Sequence, residues 1–572
     1  MPNNSEERER CQAAIYSDEY YDFIVDYSIT PEEIGSKLNA VCYQKVTDRY
    51  QVLYGTATEF NRNERFDLPY RSIPKLFGTM DQTALESTGV LRLRRLPYLD
   101  LLGQDVIFGV VDTGIDYQNS LFINADNTSR IGVIWDQTIE DGPNPEEFFY
   151  GAVFTREQIN NALQSETPQD IVPTIDEEGH GTFITGIAAG NDDVTNDFSG
   201  VAPLCDIAVV KLKPAKQNLR DFYGIQPNVA AFQENDIMMG VEFLLNYART
   251  EGKPISICIG LGSNSGGHTG SLPLSEFLKS RAGLSGTCIS VAAGNEGNSG
   301  SHYSGKVNFG AYEDVEIKVA SNEVGLSVEL WGNAPSTFSI AVISPSGEIA
   351  ERIPPRYNIN TEVRFLLEPT VVNITYRTIE IGSGDTLVFM KFTNPVEGVW
   401  RIRVFNDSTS VGTDYNMWLP ISQFKSSDTY FLRPDPYTTL VETANAQDVL
   451  TVSTYNHTNN SIWANASRGY TRDGMIKPDI TAPGVNVYGP IGRNQFGNRT
   501  GSSIAASYAA GTAMTFLQWG IVNGNQPSME TINIKTLFVK GANRSSINYP
   551  NREWGYGTLD VYTSFESLRT TV

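Results

Sequence analysis

The sequence predicts an α/β protein: a doubly wound, mostly parallel sheet, preceded by a small α+β unit and split by an inserted antiparallel β-sandwich of jelly-roll character. Three observations carry this. From Asp105 onward, nearly continuous apolar runs such as 106–111 (VIFGVV) alternate with helical stretches, the pattern of parallel strands covered on both faces. Between about Lys306 and Asp435, short alternating segments punctuated by Gly, Pro, Asn and Ser take over, as in antiparallel sandwiches. After Leu440 the α/β character returns, so the sandwich interrupts a larger domain.

Residues 20–27 (YYDFIVDY) are strand-like, rich in β-branched and aromatic side chains. Thr30-Pro31-Glu32-Glu33 marks a helix start, with Thr as N-cap, Pro at the first helical position and Glu three residues on. A strand at 49–54 and a polar, irregular stretch at 56–71 follow. In the larger domain, 106–111, 207–212, 255–259 and 288–292 read as buried strands and 235–247 as a helix. In the insertion, 315–319 (VEIKV), 326–330 (LSVEL), 338–343, 374–381, 387–392 and 400–405 (WRIRVF) alternate as strands, with Trp331, Phe338, Phe389 and Trp400 as core candidates. The expected organisation is therefore 1–82, 83–305, 306–435 and 436–572.

Composition narrows the function. The 572 residues carry 43 Lys+Arg against 66 Asp+Glu, a net charge of −23. That balance opposes a broad phosphate-backbone contact or an anionic membrane surface, so neither nucleic acid nor membrane is an expected partner. Hydrophobic residues at 40% and charged residues at 19% give a globular chain with a sizeable core. Residues 1–12 (MPNNSEERERCQ) lack the basic and apolar regions of a secretory signal, and no apolar run is long enough to span a bilayer. The five cysteines are odd in number and widely spaced without a CxxC pair, which predicts free thiols in a reducing compartment rather than a zinc cage or a disulfide framework.

Three segments carry candidate chemistry. Val110-Val111-Asp112-Thr113-Gly114-Ile115-Asp116 puts an aspartate at the carboxyl end of a buried strand, where open α/β sheets gather ligand groups. Glu178-Gly179-His180-Gly181-Thr182 opens an apolar, small-residue run, and an imidazole between two glycines is poorly shielded for a core position. The other histidines, His268, His302 and His457, lie in polar loops and read as surface residues. Gly501-Ser502-Ser503 opens a further small-residue helix, setting a hydroxyl at a positive helix end. Singly these read as a turn-capping Asp, a structural His and an N-cap Ser. Together they supply a nucleophile, a base near neutral pH and a carboxylate to orient it.

In this order, VVDTGID, GHGT and GSSIAASYAAG resemble the subtilisin-like serine peptidases, and Val291-Ala292-Ala293-Gly294-Asn295-Glu296-Gly297 is a fourth match. The resemblance spans about 99–320 and 440–568, with 478–484 (PDITAPG) as a further family-like turn. It implies Asp112, His180 and Ser503 as the catalytic triad and Asn295 as a donor to the oxyanion, with the Ser503 N–H as the other. It implies that 257–263 (ICIGLGS) pairs with an extended peptide substrate, Gly260, Leu261 and Gly262 facing Ala292, Ala293 and Gly294 across the pocket for the residue before the scissile bond. Phe183, Ser507 and Tyr508 depart from the family's usual His, Pro and His.

The first 80 residues resemble a subtilase propeptide, which implies self-cleavage within 76–82 (LFGTMDQ), before the helix-like 83–87, and a prodomain that stays bound as a non-covalent partner. A propeptide without a signal, plus a sandwich inserted after Asn295, is similar to the clostridial Csp germination proteases. Those peptidases act on the proform of a spore-cortex hydrolase, which implies a cytoplasmic or spore-associated bacterial enzyme with a protein substrate. A binding-only pseudoprotease is the alternative, and the intact triad positions discriminate against it. No cofactor is expected. The acidic loop 191–197 (NDDVTND) has the oxygen ligands for a structural calcium, but a solvated loop is the favoured reading. Gly300–Lys306 has phosphate-loop spacing, yet Val307 stands where Ser or Thr is needed, and no HExxH occurs.

Overall fold

The computed structural model describes strands 20–26, 40–45 and 50–56 of the first 81 residues. From 82 to 569 it describes all but 97–98, 141, 144, 146–147, 149, 216, 227, 322, 357–359, 381–382, 409–411 and 546–547. The chain divides into two compact units, Met1–Thr79 and Met80–Val572. In the first, β1 (Tyr20–Asp26), β2 (Ala40–Lys45) and β3 (Tyr50–Thr56) form an antiparallel sheet of order β1-β3-β2. β2 was not expected from the sequence, and the helix start at Thr30 lies outside the described residues.

In the second unit two short helices, α1 (Gln82–Ser87) and α2 (Val90–Arg94), precede β4 (Ile107–Asp112), β5 (Ile131–Asp136) and β6 (Ala152–Thr155). Helices α3 (Arg156–Leu163), α4 (Pro168–Ile171) and α5 (His180–Ala189) follow. Then come β7 (Asp206–Lys211), α6 (Gln217–Tyr223), α7 (Glu234–Glu251), β8 (Ile255–Ile259), α8 (Pro273–Ala282) and β9 (Thr287–Ala292). After the insertion the chain returns with β20 (Leu450–Asn456), β21 (Ser461–Ile462), β22 (Ile480–Pro483), the hairpin β23 (Val487–Gly492)–β24 (Gln495–Arg499), α9 (Ser502–Leu517), α10 (Thr531–Gly541) and α11 (Val561–Glu566). The main sheet runs β21-β20-β9-β8-β4-β7-β5-β6, with β22 also paired to β20; all pairs are parallel except β5-β6 and β20-β21. The apolar runs are fully buried in β4, β8 and β9 because helices cover both faces. On one face α5 and α9 are buried almost all round, and on the other α7 and α8 cover Ile107, Val111, Ile257 and Ile289.

The insertion contributes β10 (His302–Val307), β11 (Tyr312–Val319), β12 (Gly325–Gly332), β13 (Phe338–Ile343), β14 (Asn360–Arg364), β15 (Val371–Arg377), β16 (Thr386–Thr393), β17 (Gly398–Asn406), β18 (Thr413–Trp418) and β19 (Tyr430–Phe431). They form two facing antiparallel sheets, β10-β18-β12-β16-β15-β14 and β13-β17-β11-β19, around a core that includes Phe338, Trp400 and Tyr415. The strand expected at 374–381 ends at Arg377. Beyond it the chain turns back toward β16, with Glu380 N–H donating to Asp385 O and Gly384 N–H to Glu380 O. Phe389 and Trp331 are not sandwich core: Phe389 stacks on Phe222 of α6 at 5.3 Å, and Trp331 lies under the Arg472 guanidinium at 5.7 Å.

This junction also overturns the reading of three histidines as surface residues. His268 and His302 both stack on one ring, Trp418, at 4.0 and 4.8 Å, and His268, His302 and His457 are all buried. The loop 264–268 is held by carboxylates: Glu329 Oε2 accepts from Gly266 N–H and Trp331 Nε1–H, and Glu442 Oε2 from His268 N–H. Glu442 Oε1 has no partner among the described residues, and burial pushes the Glu442 carboxyl from 4.5 up to about 8. A raised folded-state value means stability present at acid pH that is lost as pH rises toward 8, since the unfolded chain releases that proton first. Glu442→Gln should therefore flatten the decline of Tm between pH 5 and pH 8, raising it by roughly 2–4 °C at the alkaline end. Calorimetry of both proteins across that range checks this; parallel profiles would contradict it.

Candidate active site

β4 ends at Asp112, α5 starts at His180, and α9 starts one residue before Ser503. Small residues allow α5 and α9 to reach the same sheet edge. A Cβ on Gly181 would lie 2.1 Å from Gly114 O, and one on Gly511 would lie 2.7 Å from Val201 Cβ and 3.1 Å from Ala188 O. Ser507 Oγ donates to Ile184 O and Ser256 Oγ to Ala510 O, so the helices are also tied to each other and to β8. Phe183 is buried beneath the Arg499 guanidinium, and Tyr508 is buried in the core beside α5.

At that edge three side chains form one relay. Asp112 is fully buried, and its Oδ1 accepts from Thr113 N–H at 2.8 Å and from His180 Nδ1–H at 2.6 Å. Ser503 Oγ–H donates to His180 Nε2 at 2.9 Å. The carboxylate has no exposure while the imidazole keeps 29%, so the ring is open toward the cleft alone. Burial by itself would lower the His180 pKa. The Asp112 charge and hydrogen bond, with the Asp176 charge, outweigh it, and the net shift is upward.

Asp176 escaped the sequence reading. Its Oδ1 accepts from Thr113 Oγ1–H at 2.8 Å and Gly179 N–H at 2.9 Å, and its Oδ2 from Thr182 N–H at 2.8 Å and Thr182 Oγ1–H at 2.6 Å. Thr113 Oγ1 in turn accepts from Gly181 N–H at 2.9 Å. One carboxylate thus fastens the end of β4 to the first turn of α5, where the helix dipole favours a negative charge. The available signal was an acid just ahead of a helix start with Thr two residues into it.

Asn295 follows β9. Its Oδ1 accepts from Ser502 N–H at 3.0 Å and Ser502 Oγ–H at 2.8 Å, and Ser502 Oγ accepts from Gly294 N–H at 3.2 Å. With its oxygen so committed to Ser502, the amide leaves Nδ2 without a hydrogen bond among the described residues. Gly260 continues β8 beside the relay: a Cβ there would lie 2.9 Å from Ser503 Cβ and 3.1 Å from His180 Cε1. Leu261 is half-buried against the core on the α7–α8 side, and Gly262, Ala292, Ala293 and Gly294 line the neighbouring strand exits.

The acidic loop is internally engaged. Asp193 Oδ1 accepts from Thr195 and Asn196 N–H, and Asp192 pairs with Ser199 Oγ and Arg94. Two guanidinium groups serve the backbone carbonyls around it: Arg94 donates to Gly200 O and Val201 O, and Arg130 to Leu121 O, Ala189 O and Cys205 O.

The family model for subtilases matches residues 103–353 and 432–557, well over half of the chain. The chain belongs to the subtilase family. The subtilase is similar to the solved structure of the CspB protease of Clostridium perfringens, at 30% identity and a TM-score of 0.76, covering 85% of this chain and 97% of that one. No curated protein matches it. It is a subtilisin-like serine endopeptidase acting on protein substrates, and among the described residues no helix is long and apolar enough to cross a membrane.

Asp176→Asn removes a charge that raises the His180 pKa and slackens the strand–helix tie. The acid limb of kcat/KM should move to lower pH, and kcat should fall by roughly 10–100-fold. A lower kcat with an unmoved limb would reduce Asp176 to a packing role.

Proposed function

We propose that Ser503 attacks the scissile carbonyl while His180 Nε2 takes its proton. Asp112 holds the Nδ1–H tautomer and stabilises the imidazolium that forms. Asn295 Nδ2 and the Ser503 N–H, free in the first turn of α9, receive the oxyanion. The imidazolium then protonates the leaving amine, and water, deprotonated by His180, releases the acyl group by the reverse steps. The observation that carries this reading is the continuous Asp112–His180–Ser503 hydrogen-bond relay beside an asparagine whose carbonyl is already occupied. A fluorophosphonate probe should label wild type and not Ser503→Ala. Asn295→Ala should lose about 10²–10³ in turnover, the magnitude found for an oxyanion donor in the related enzyme subtilisin. Equal labelling of wild type and Ser503→Ala would remove the assignment, and an unlabelled wild type would favour the binding-only alternative.

The same reading extends to the N-terminal unit as a propeptide that stays bound after cleavage. The division at Thr79/Met80 falls inside the 76–82 window, and α1 begins at its last residue. A covalently attached substrate enjoys a high effective concentration. Purified wild type should run as two co-eluting fragments and Ser503→Ala as one full-length chain. Identical cutting of both would assign the cleavage to a host protease. By resemblance to the Csp group, the external substrate is the proform of a spore-cortex hydrolase, met in a bacterial cell or its spore.

We further propose that catalysis and folding need no metal. Arg94 and Arg130 already bring positive charge to the carbonyls at 121, 189, 200, 201 and 205. Excess chelator should leave Tm and activity unchanged, whereas Arg130→Met should lower Tm by several degrees; loss of structure on chelation would refute the substitution of metal by guanidinium.

A further inference from the structure

We infer that Val441 restricts the residue before the scissile bond to a small side chain, glycine, alanine, serine or threonine. This rests on Ser503 being the nucleophile. A carbonyl attacked by Ser503 Oγ with its oxygen toward Asn295 belongs to a residue whose side chain must leave between two strand exits. One is Gly260–Gly262, which runs along Ser503 and His180; the other is Ala292–Gly294, which leads into Asn295. β8 and β9 are parallel neighbours, paired up to Ile259↔Val291, and the crevice opens where their chains part, outside the carboxyl ends of the strands.

Val441 occupies that crevice. Its N–H donates to Ala293 O at 3.1 Å, the next N–H, Glu442, donates to Ser263 O at 2.8 Å, and Thr443 Oγ1–H donates to Leu261 O at 3.3 Å. The segment is therefore stitched to both walls and cannot withdraw without breaking them. A Cβ on Gly262 would lie 2.6, 2.7 and 2.9 Å from Val441 Cγ2, Cβ and Cγ1, and one on Gly294 would lie 2.7 Å from Cγ1. The isopropyl group thus touches the bare backbone of both walls and is only 4% exposed. A β-branched side chain so enclosed has little χ1 freedom, and a large substrate side chain entering the same space would overpack it. Glycine at 262 and 294 leaves room for Val441 and for little beyond it.

Self-cleavage supplies an internal check. Within 76–82 (LFGTMDQ) only Gly78 and Thr79 are small, so the cut should follow one of them and not Leu76, Phe77 or Met80.

The test compares kcat/KM on peptide nitroanilides that differ only in the residue before the scissile bond, Ala, Ser, Leu or Phe. Wild type should favour Ala and Ser over Leu and Phe by about 100-fold, the scale of a few methylenes in a closed pocket. Val441→Gly should raise the Phe rate about 100-fold, and Val441→Ala should fall between. Fluorophosphonate labelling of each protein reports an intact nucleophile. Labelled variants with an unchanged preference, a wild type that cleaves Phe as fast as Ala, or self-cleavage after Phe77 would overturn the inference. A wild type that neither labels nor cleaves would overturn the nucleophile assignment itself, and the inference with it.

Discussion

The structure depends on one crossing: two helices with bare, small-residue surfaces packed against each other on one face of the buried sheet. α9 meets α5 at Gly511, where a Cβ would lie 3.1 Å from Ala188 O, and at Ser507, whose Oγ donates to Ile184 O, while Gly181 lets α5 lie against the backbone of Gly114; larger residues would hold these elements apart. Only at this separation can side chains at 112, 180 and 503 share two hydrogen bonds of 2.6 and 2.9 Å. The cost of so small an interior is recovered elsewhere, through Phe183, Tyr508, Phe516 and Phe538, which fill the space flanking the helices.

The second constraint is electrostatic. A fully buried Asp112 is tolerable because His180 and the Thr113 amide answer one of its oxygens. Asp176, half-buried, then serves strand end and helix start together, so position and basicity of the imidazole share one determinant. At the sandwich junction the opposite choice is made: Glu442, one residue after Val441, sits where burial favours the protonated acid.

What was legible in the sequence follows from range. Asp112, His180, Asn295 and Ser503 each lie in a short motif bracketed by glycine, and β4, β8 and β9 announce themselves as apolar runs. The histidines were misplaced because their neighbours in sequence are polar, whereas the ring that buries His268 and His302 is Trp418, more than a hundred residues away. β18 (TDYNMW) and the edge strand β14 (NTEVR) carry too few apolar residues to stand out, and their pairing partners define them. Val441 belongs to an ordinary apolar stretch; its place between two glycines exists only in three dimensions. Asp176 likewise looks like any acid in a loop until Thr113 and Thr182 converge on it.

The split of the α/β body by the sandwich sets an order of assembly. Asp112, His180 and Asn295 leave the ribosome first, then the whole of β10 to β19, and only afterwards Val441 and Ser503. Domains tend to fold as they emerge, so on the proposed mechanism a nascent chain would display the base and the oxyanion donor while still lacking both the nucleophile and the side chain proposed to floor the pocket. The three-side-chain relay cannot form until synthesis has passed the start of α9, and the timing is written into the connectivity alone.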